Sequence, residues 1–170
     1  ANAYHVYERL LAQEGALDFG SLITGALNLF QERPNLLKKY REQFKFILVD
    51  EFQDTNWAQY ELVKILAAPK NNLTVVGDDD QSIYKFRGAS ISNILAFKKD
   101  FAHAEQVILT ENYRSTQNIL DSAYQFIQLN NPNRLEVQLT NGDADGGVSK
   151  KLLAAKKGTG VIEHIAEKTE

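Results

Sequence analysis

Two short apolar runs constrain this chain more than any other feature. Phe46-Ile47-Leu48-Val49 and Leu73-Thr74-Val75-Val76 carry no charge and are rich in β-branched residues, the pattern of strands buried on both faces of a sheet. The first stops at Asp50-Glu51-Phe52-Gln53-Asp54 and the second at Gly77-Asp78-Asp79-Asp80-Gln81. A third run, Val107-Ile108-Leu109, stops at Thr110 and leads into Glu111-Asn112-Tyr113-Arg114. Helical stretches separate the three, and strands alternating with helices predict an α/β fold built on a parallel sheet with crossovers. Ligands of such sheets gather at the carboxyl ends of the strands. Three strand ends loaded with acids, amides and a Tyr-Arg pair therefore mark the candidate site.

Elsewhere the periodicity is helical. Tyr4, Tyr7, Leu10 and Leu11 share one face of a helix that Gly15 ends, and its packing against other helices is expected. Asp18 stands where an N-cap belongs, ahead of Leu22, Ile23, Ala26, Leu29 and Phe30. Pro34 suits the first turn of a further helix through Leu36, Leu37 and Tyr40. Asn56 and Gln59 have capping-box spacing before Tyr60, Val63, Leu66 and Ala67. Ile91, Ile94, Leu95 and Phe97 suit another helix, and from Ser115 a longer one carries Ile119, Leu120, Ala123, Phe126 and Ile127 until Asn130-Asn131-Pro132 breaks it. Residues 141–147 read as a turn or exposed loop, followed by a short strand around Val148 to Leu153 and a helix from about Gly158.

Composition narrows the field. With 170 residues, 44% of them hydrophobic and 24% charged, a sizeable core is available. No run approaches the roughly 18 to 20 apolar residues of a membrane span, and the N-terminus lacks the layout of a signal peptide. Cysteine is absent, which excludes disulfides and thiolate metal sites and favours a cytoplasmic setting. A net charge of −3 weighs mildly against a broad basic DNA-binding face, though a groove that grips one strand needs only local cations. The chain begins at Ala1 and contains no methionine, which suits a part of a longer product better than a complete one.

The residues at the strand ends have definite chemistry. A carboxylate directly after a buried strand, such as Asp50, can hold Mg²⁺ through water, and Glu51 beside it can orient or deprotonate an attacking water. By themselves the two acids serve equally well as the start of a solvated loop. Gln81 is uncharged and can sense a terminal phosphate by hydrogen bonding. Tyr84, Phe86 and Arg87 mix aromatic and basic character, suited to stacking on unpaired bases and pairing with phosphates, or Phe86 belongs to the core. Tyr113 can stack on a base, and Arg114 can neutralise charge on a transferred phosphoryl group. Calcium loops fail: from Asp78, positions six and twelve are Ile83 and Ala89 instead of Gly and Glu, and from Asn141 position twelve is Leu152.

Read together, the clusters resemble one family. Ile47-Leu48-Val49-Asp50-Glu51-Phe52-Gln53-Asp54-Thr55-Asn56 looks like motif II of the UvrD/Rep/PcrA group of superfamily 1 helicases. The string Val76 to Ala89, with Gly77-Asp78-Asp79-Asp80-Gln81-Ser82 at its start, looks like motif III, and Leu109 to Thr116 looks like motif IV. Ala16-Leu17-Asp18-Phe19 with Leu22, and Asn133-Arg134-Leu135, extend the likeness over nearly the whole chain. The resemblance implies a partial RecA-like parallel sheet with flanking helices. Residues 1–43 would end a helical insertion, 44–111 would form the C-terminal part of a first motor domain, and 112–170 would open a second. It implies ATP and Mg²⁺ as cofactors, with Asp50 on the metal, Glu51 activating water, Gln81 and Arg114 on the γ-phosphate and Tyr113 on adenine. Phe86, with Tyr84 and Arg87 beside it, would meet single-stranded DNA, and the whole protein would also act at duplex junctions.

Two departures qualify the resemblance. Gly20 stands where the family usually has Asp, and the phosphate-cradling pattern Gly-x-x-x-x-Gly-Lys-Ser/Thr does not occur, since Lys156-Lys157-Gly158-Thr159-Gly160 has the wrong spacing. The expectation is a fragment of an ATP-dependent DNA helicase moving 3′ to 5′, itself inactive in isolation. The alternatives are the helicase subunit of a helicase-nuclease, and a non-catalytic module that binds DNA or a partner.

Overall fold

The computed structural model describes residues 2–82, 92–130, 134, 136 and 149–163, and the chain divides into two compact units, Ala1–Ala102 and His103–Glu170.

The first unit opens with three helices, each with a sequence-encoded boundary. Helix α1 (Asn2–Gln13) ends in a left-handed turn: Gly15 has φ +63°, its N–H donates to Ala12 O and that of Ala16 to Leu11 O. This pair of bonds satisfies carbonyls that a helix end otherwise leaves orphaned. Helix α2 (Phe19–Glu32) starts at Asp18, whose carboxylate accepts from Ser21 N at 2.7 Å and from the Tyr7 hydroxyl at 2.9 Å. The Ser21 N–H foremost, and the Tyr7 hydroxyl with it, hold Asp18 below the usual aspartate range. Helix α3 (Pro34–Gln43) has its proline in the first turn. Tyr40 meets Phe30 of α2 edge-on and stacks on Phe44.

The apolar stripes are placed less well by periodicity. In α1, Tyr4, Tyr7 and Leu10 are exposed and only Leu11 is half-buried. In α2 the covered side runs through Ile23, Ala26, Leu27 and Phe30, while Leu22 and Leu29 face out. Periodicity says which residues share a face; whether another element covers that face is decided by tertiary packing.

Strand β1 (Ile47–Val49) and strand β2 (Leu73–Val75) pair in parallel, Ile47 opposite Leu73 and Val49 opposite Val75. Helix α4 (Trp57–Ala67) makes the crossover. Its capping box forms as the sequence predicts: Asn56 Oδ1 accepts from Gln59 N, and Gln59 Oε1 accepts from Asn56 N, both at 2.9 Å. Arg41 of α3 donates twice to Ile65 O in the last turn of α4. The core centres on Phe52 and Tyr60, which meet edge-on at 5.4 Å, with Phe97 of helix α5 (Ser92–Asp100) 5.7 Å from Phe52. Contrary to what its apolar run predicts, strand β1 is not buried on both faces. Leu48 is 70% exposed and Phe46 is exposed too, because the sheet among the described residues has two strands and their side of it is uncovered.

The second unit departs further from expectation. Val107-Ile108-Leu109 is not a strand; it is exposed and belongs to neither ladder among the described residues. Strand β3 is Glu111–Asn112 and pairs in parallel with strand β4 (Leu153–Ala154), so the third polar cluster lies within and after a strand of another sheet. Helix α6 (Gln117–Ile127) connects them. The Gln117 amide fastens it to the β4 segment, accepting from Ala154 N and donating to Leu152 O. The strand expected around Val148 to Leu153 is thus seen at Leu153–Ala154, with Val148 outside the described residues. No helix starts at Gly158. That glycine has φ +106°, and the next turn is taken by Asn118, which accepts from Gly160 N and donates to Gly160 O. The expected loop at 141–147 lies outside the described residues.

Candidate functional site

The site in the first unit is built where β1 and β2 end. The ladder continues past the strands, with Val76 N donating to Val49 O and Phe52 N to Val76 O. Both polar clusters are therefore held in one frame. Between those bonds the chain must turn, and it does so at Glu51, whose φ of 50° and ψ of 43° put a non-glycine residue in the left-handed region. Such a conformation costs of order 1 kcal/mol and persists only where its surroundings impose it. Phe52 is the anchor, its ring sealed into the core while Asp50 and Glu51 on its N-terminal side stay exposed.

Asp50 turns one oxygen back, accepting from Glu51 N at 2.9 Å. No second protein partner of this carboxylate occurs among the described residues. A rigid, exposed acid with a spare oxygen fits Mg²⁺, which keeps several waters and takes one or two carboxylates alongside phosphate oxygens.

Gln53 is the residue that unites the two clusters. It is 1% exposed. Its Nε2 donates to Glu51 Oε2 at 2.6 Å, and its Oε1 accepts from Asp78 N at 3.0 Å. A carboxylate only accepts and a main-chain N–H only donates, so one orientation of the amide satisfies both. Asp78 then caps the 3₁₀ turn Asp79–Gln81, accepting from Asp80 N, and its other oxygen accepts from Gln81 Nε2 at 2.9 Å. Glu51, Gln53, Asp78 and Gln81 form one continuous hydrogen-bonded path. Gln81 stays exposed at its end, and Asp79 is buried.

In the second unit, Asn112 Oδ1 accepts from the N–H groups of Arg114 and Ser115, which shapes the turn that presents Tyr113 and Arg114. Tyr113 is 73% exposed, and its hydroxyl donates to Glu111 Oε2 at 2.6 Å; that bond raises the phenol above its ordinary range. The ring face is open for stacking. The Arg114 guanidinium is exposed and has no protein partner among the described residues. Tyr84, Phe86 and Arg87 lie outside the described residues.

Of the residues singled out from sequence, the fold joins Asp50, Glu51 and Gln81 around one frame and sets Tyr113 and Arg114 on the other unit. Sequence reasoning passed over Gln53 and Asp78 as organisers. The available signal was an amide among acids directly after a strand, opposite a glycine that leaves room for it.

A family model, the UvrD/REP helicase N-terminal domain, matches residues 1–102. The chain belongs to that family. It is 49% identical over 146 residues to the ATP-dependent DNA helicase PcrA of Staphylococcus aureus (strain Mu50 / ATCC 700699), covering 84% of this chain and 20% of that protein. It is 48% identical over 146 residues to the PcrA helicase of Leuconostoc citreum, with the same coverage. Against the PcrA helicase of Staphylococcus epidermidis it is 52% identical over 130 residues, 76% of this chain and 18% of that protein. The chain thus spans about a fifth of the length of these curated relatives. No helix among the described residues is long and apolar enough to cross a membrane.

Proposed function

We propose that this chain is an internal segment, carrying motifs II to IV, of a longer ATP-dependent DNA helicase that moves 3′ to 5′ on single-stranded DNA. The observation that carries the reading is the path Glu51–Gln53–Asp78–Gln81. It ties an acid able to activate water to an amide able to contact a terminal phosphate, which is the arrangement phosphoryl transfer to water asks of a protein.

In this reading residues 1–43 end a helical insertion, 44–111 complete a first RecA-like motor domain and 112–170 open a second. Asp50 holds Mg²⁺, which would neutralise charge on the phosphate oxygens of bound ATP. Glu51 orients the hydrolytic water and takes its proton, and Gln81 reports the γ-phosphate to the DNA groove. Tyr113 stacks on adenine, and Arg114 neutralises charge on the γ-phosphate. Tyr84, Phe86 and Arg87 meet the unpaired strand, with Phe86 stacking on a base. The phosphate-binding loop comes from elsewhere in the full-length protein, so the 170 residues alone do not turn over ATP. The similarity to three PcrA helicases supports this reading.

Strand displacement by the full-length protein tests it. Duplexes carrying a 3′ single-stranded tail are unwound with ATP and Mg²⁺, those with a 5′ tail are not, and ATP hydrolysis rises on adding single-stranded DNA. Hydrolysis indifferent to DNA, or unwinding from the 5′ tail alone, contradicts the proposal.

A further inference from the structure

We infer that Gln53 is the positioning residue of this site: it fixes the Glu51 carboxylate for its work on water and ties that carboxylate to the loop bearing Gln81. The inference rests on the proposed ATPase reading and adds to it a role for a residue that touches neither nucleotide nor metal.

Four observations carry it. Gln53 is fully buried, whereas the acid it holds is exposed, so the amide is set by the core and the carboxylate is set by the amide. Both of its polar ends are used, and they reach groups 27 residues apart in sequence, Glu51 and Asp78. The backbone opposite makes room for it, because a Cβ on Gly77 would lie 2.8 Å from Gln53 Oε1. Finally, the residue held is itself in the left-handed region, so its side chain leaves the backbone in a direction that ordinary strand or helix geometry would not give.

The consequence is kinetic. An exposed glutamate in free rotation spends its time among several rotamers, and a catalytic group displaced by an ångström can cost on the order of 10²-fold in rate. One short hydrogen bond from a rigid donor removes that freedom. Because the same amide accepts from Asp78 N, a shift of the Asp78–Gln81 turn on contact with a terminal phosphate is passed to Glu51 without any intervening water.

The test compares Gln53→Met, which keeps size but loses both hydrogen bonds, and Gln53→Asn, whose amide is one methylene short, with Glu51→Gln in the full-length protein. Steady-state ATP hydrolysis on single-stranded DNA is measured together with the affinity for a fluorescent ATP analogue and the melting temperature. Both Gln53 variants are expected to lose roughly 10- to 100-fold in kcat with KM and nucleotide affinity within about twofold of wild type, the signature of an interaction made only in the transition state. Asn, the less disruptive change, keeps the result readable if Met impairs folding. If Glu51→Gln is inactive while both Gln53 variants keep wild-type kcat, the positioning role is overturned and the ATPase reading stands. Should their kcat fall only in step with lost nucleotide affinity or lost folded protein, Gln53 is merely structural and the inference is again overturned. If Glu51→Gln itself turns over normally, the reading beneath the inference fails, and the inference with it.

Discussion

Gly77 passes so close to Gln53 that a Cβ in place of its hydrogen would lie 2.8 Å from the Gln53 side-chain oxygen and 3.3 Å from its main-chain nitrogen. The glycine at the end of β2 is therefore the space into which the buried amide fits.

Gly77→Ala is expected to destabilise the fold by about 1–3 kcal/mol, since the buried amide cannot retreat without losing its bonds to Glu51 and Asp78. Gly25, exposed on α2 with nothing within 4 Å of its would-be Cβ, is the control. There Gly→Ala should stabilise by roughly 0.5–1 kcal/mol. Denaturant unfolding of the two variants checks the contrast, and equal effects would contradict the close approach.

The Asn56–Gln59 capping box supports α4, which brings Tyr60 beneath Phe52. Asn56→Ala should cost about 1 kcal/mol. Thermal unfolding reads this directly, and an unchanged midpoint would mean that water satisfies the first turn equally well.

How much of this was legible in the sequence differs by element. Asp18, Pro34 and the Asn56–Gln59 pair announce helix starts because capping is local chemistry within three or four residues. Val107-Ile108-Leu109 misleads because an apolar run fits a strand only if a partner strand offers a ladder, and here β4 pairs with Glu111–Asn112 instead. The helix expected from Gly158 fails for a related reason. Gly160 serves a tight approach to Thr116 and Ile119 and the Asn118 exchange, contacts set by residues about 40 positions away, while Gly158 turns the chain at φ +106°. At the site, the acids after β1 and the amide Gln81 were visible as residue types. Their connection through Gln53 and Asp78 was not, because it depends on how two loops face each other after β1 and β2 pair.

Gly160 provides a parallel test in the second unit. A Cβ there would sit 2.6 Å from Thr116 Oγ1 and 2.8 Å from Ile119 Cγ1. Gly160→Ala should destabilise by about 1–3 kcal/mol. Asn118→Asp, which keeps shape but loses the donor to Gly160 O, should also destabilise. Hydrogen exchange at the Gly160 amide reports both, and unaltered protection would contradict the packing described.

The pH dependence of stability has a local source in Asp100. Lys64 foremost, at 3.1 Å, and the Tyr60 hydroxyl, at 3.0 Å, hold its carboxyl below the usual aspartate range. A depressed folded-state value means that this stabilisation is complete above the unfolded value of about 3.9 and disappears as pH falls through the lower folded value. Asp100→Asn should therefore be less stable than wild type by a constant amount above about pH 5, with the gap closing on further acidification. A gap that widens toward acid would reverse the assigned sign.

Glu51 carries the largest share of the functional reading, and its amide isostere isolates that share. Steady-state hydrolysis of ATP by the full-length protein on single-stranded DNA is to be compared with that of Glu51→Gln, with nucleotide binding followed in parallel. Loss of roughly 10²- to 10⁴-fold in kcat with binding retained is the expected result for removal of a general base. Undiminished turnover in Glu51→Gln would contradict it.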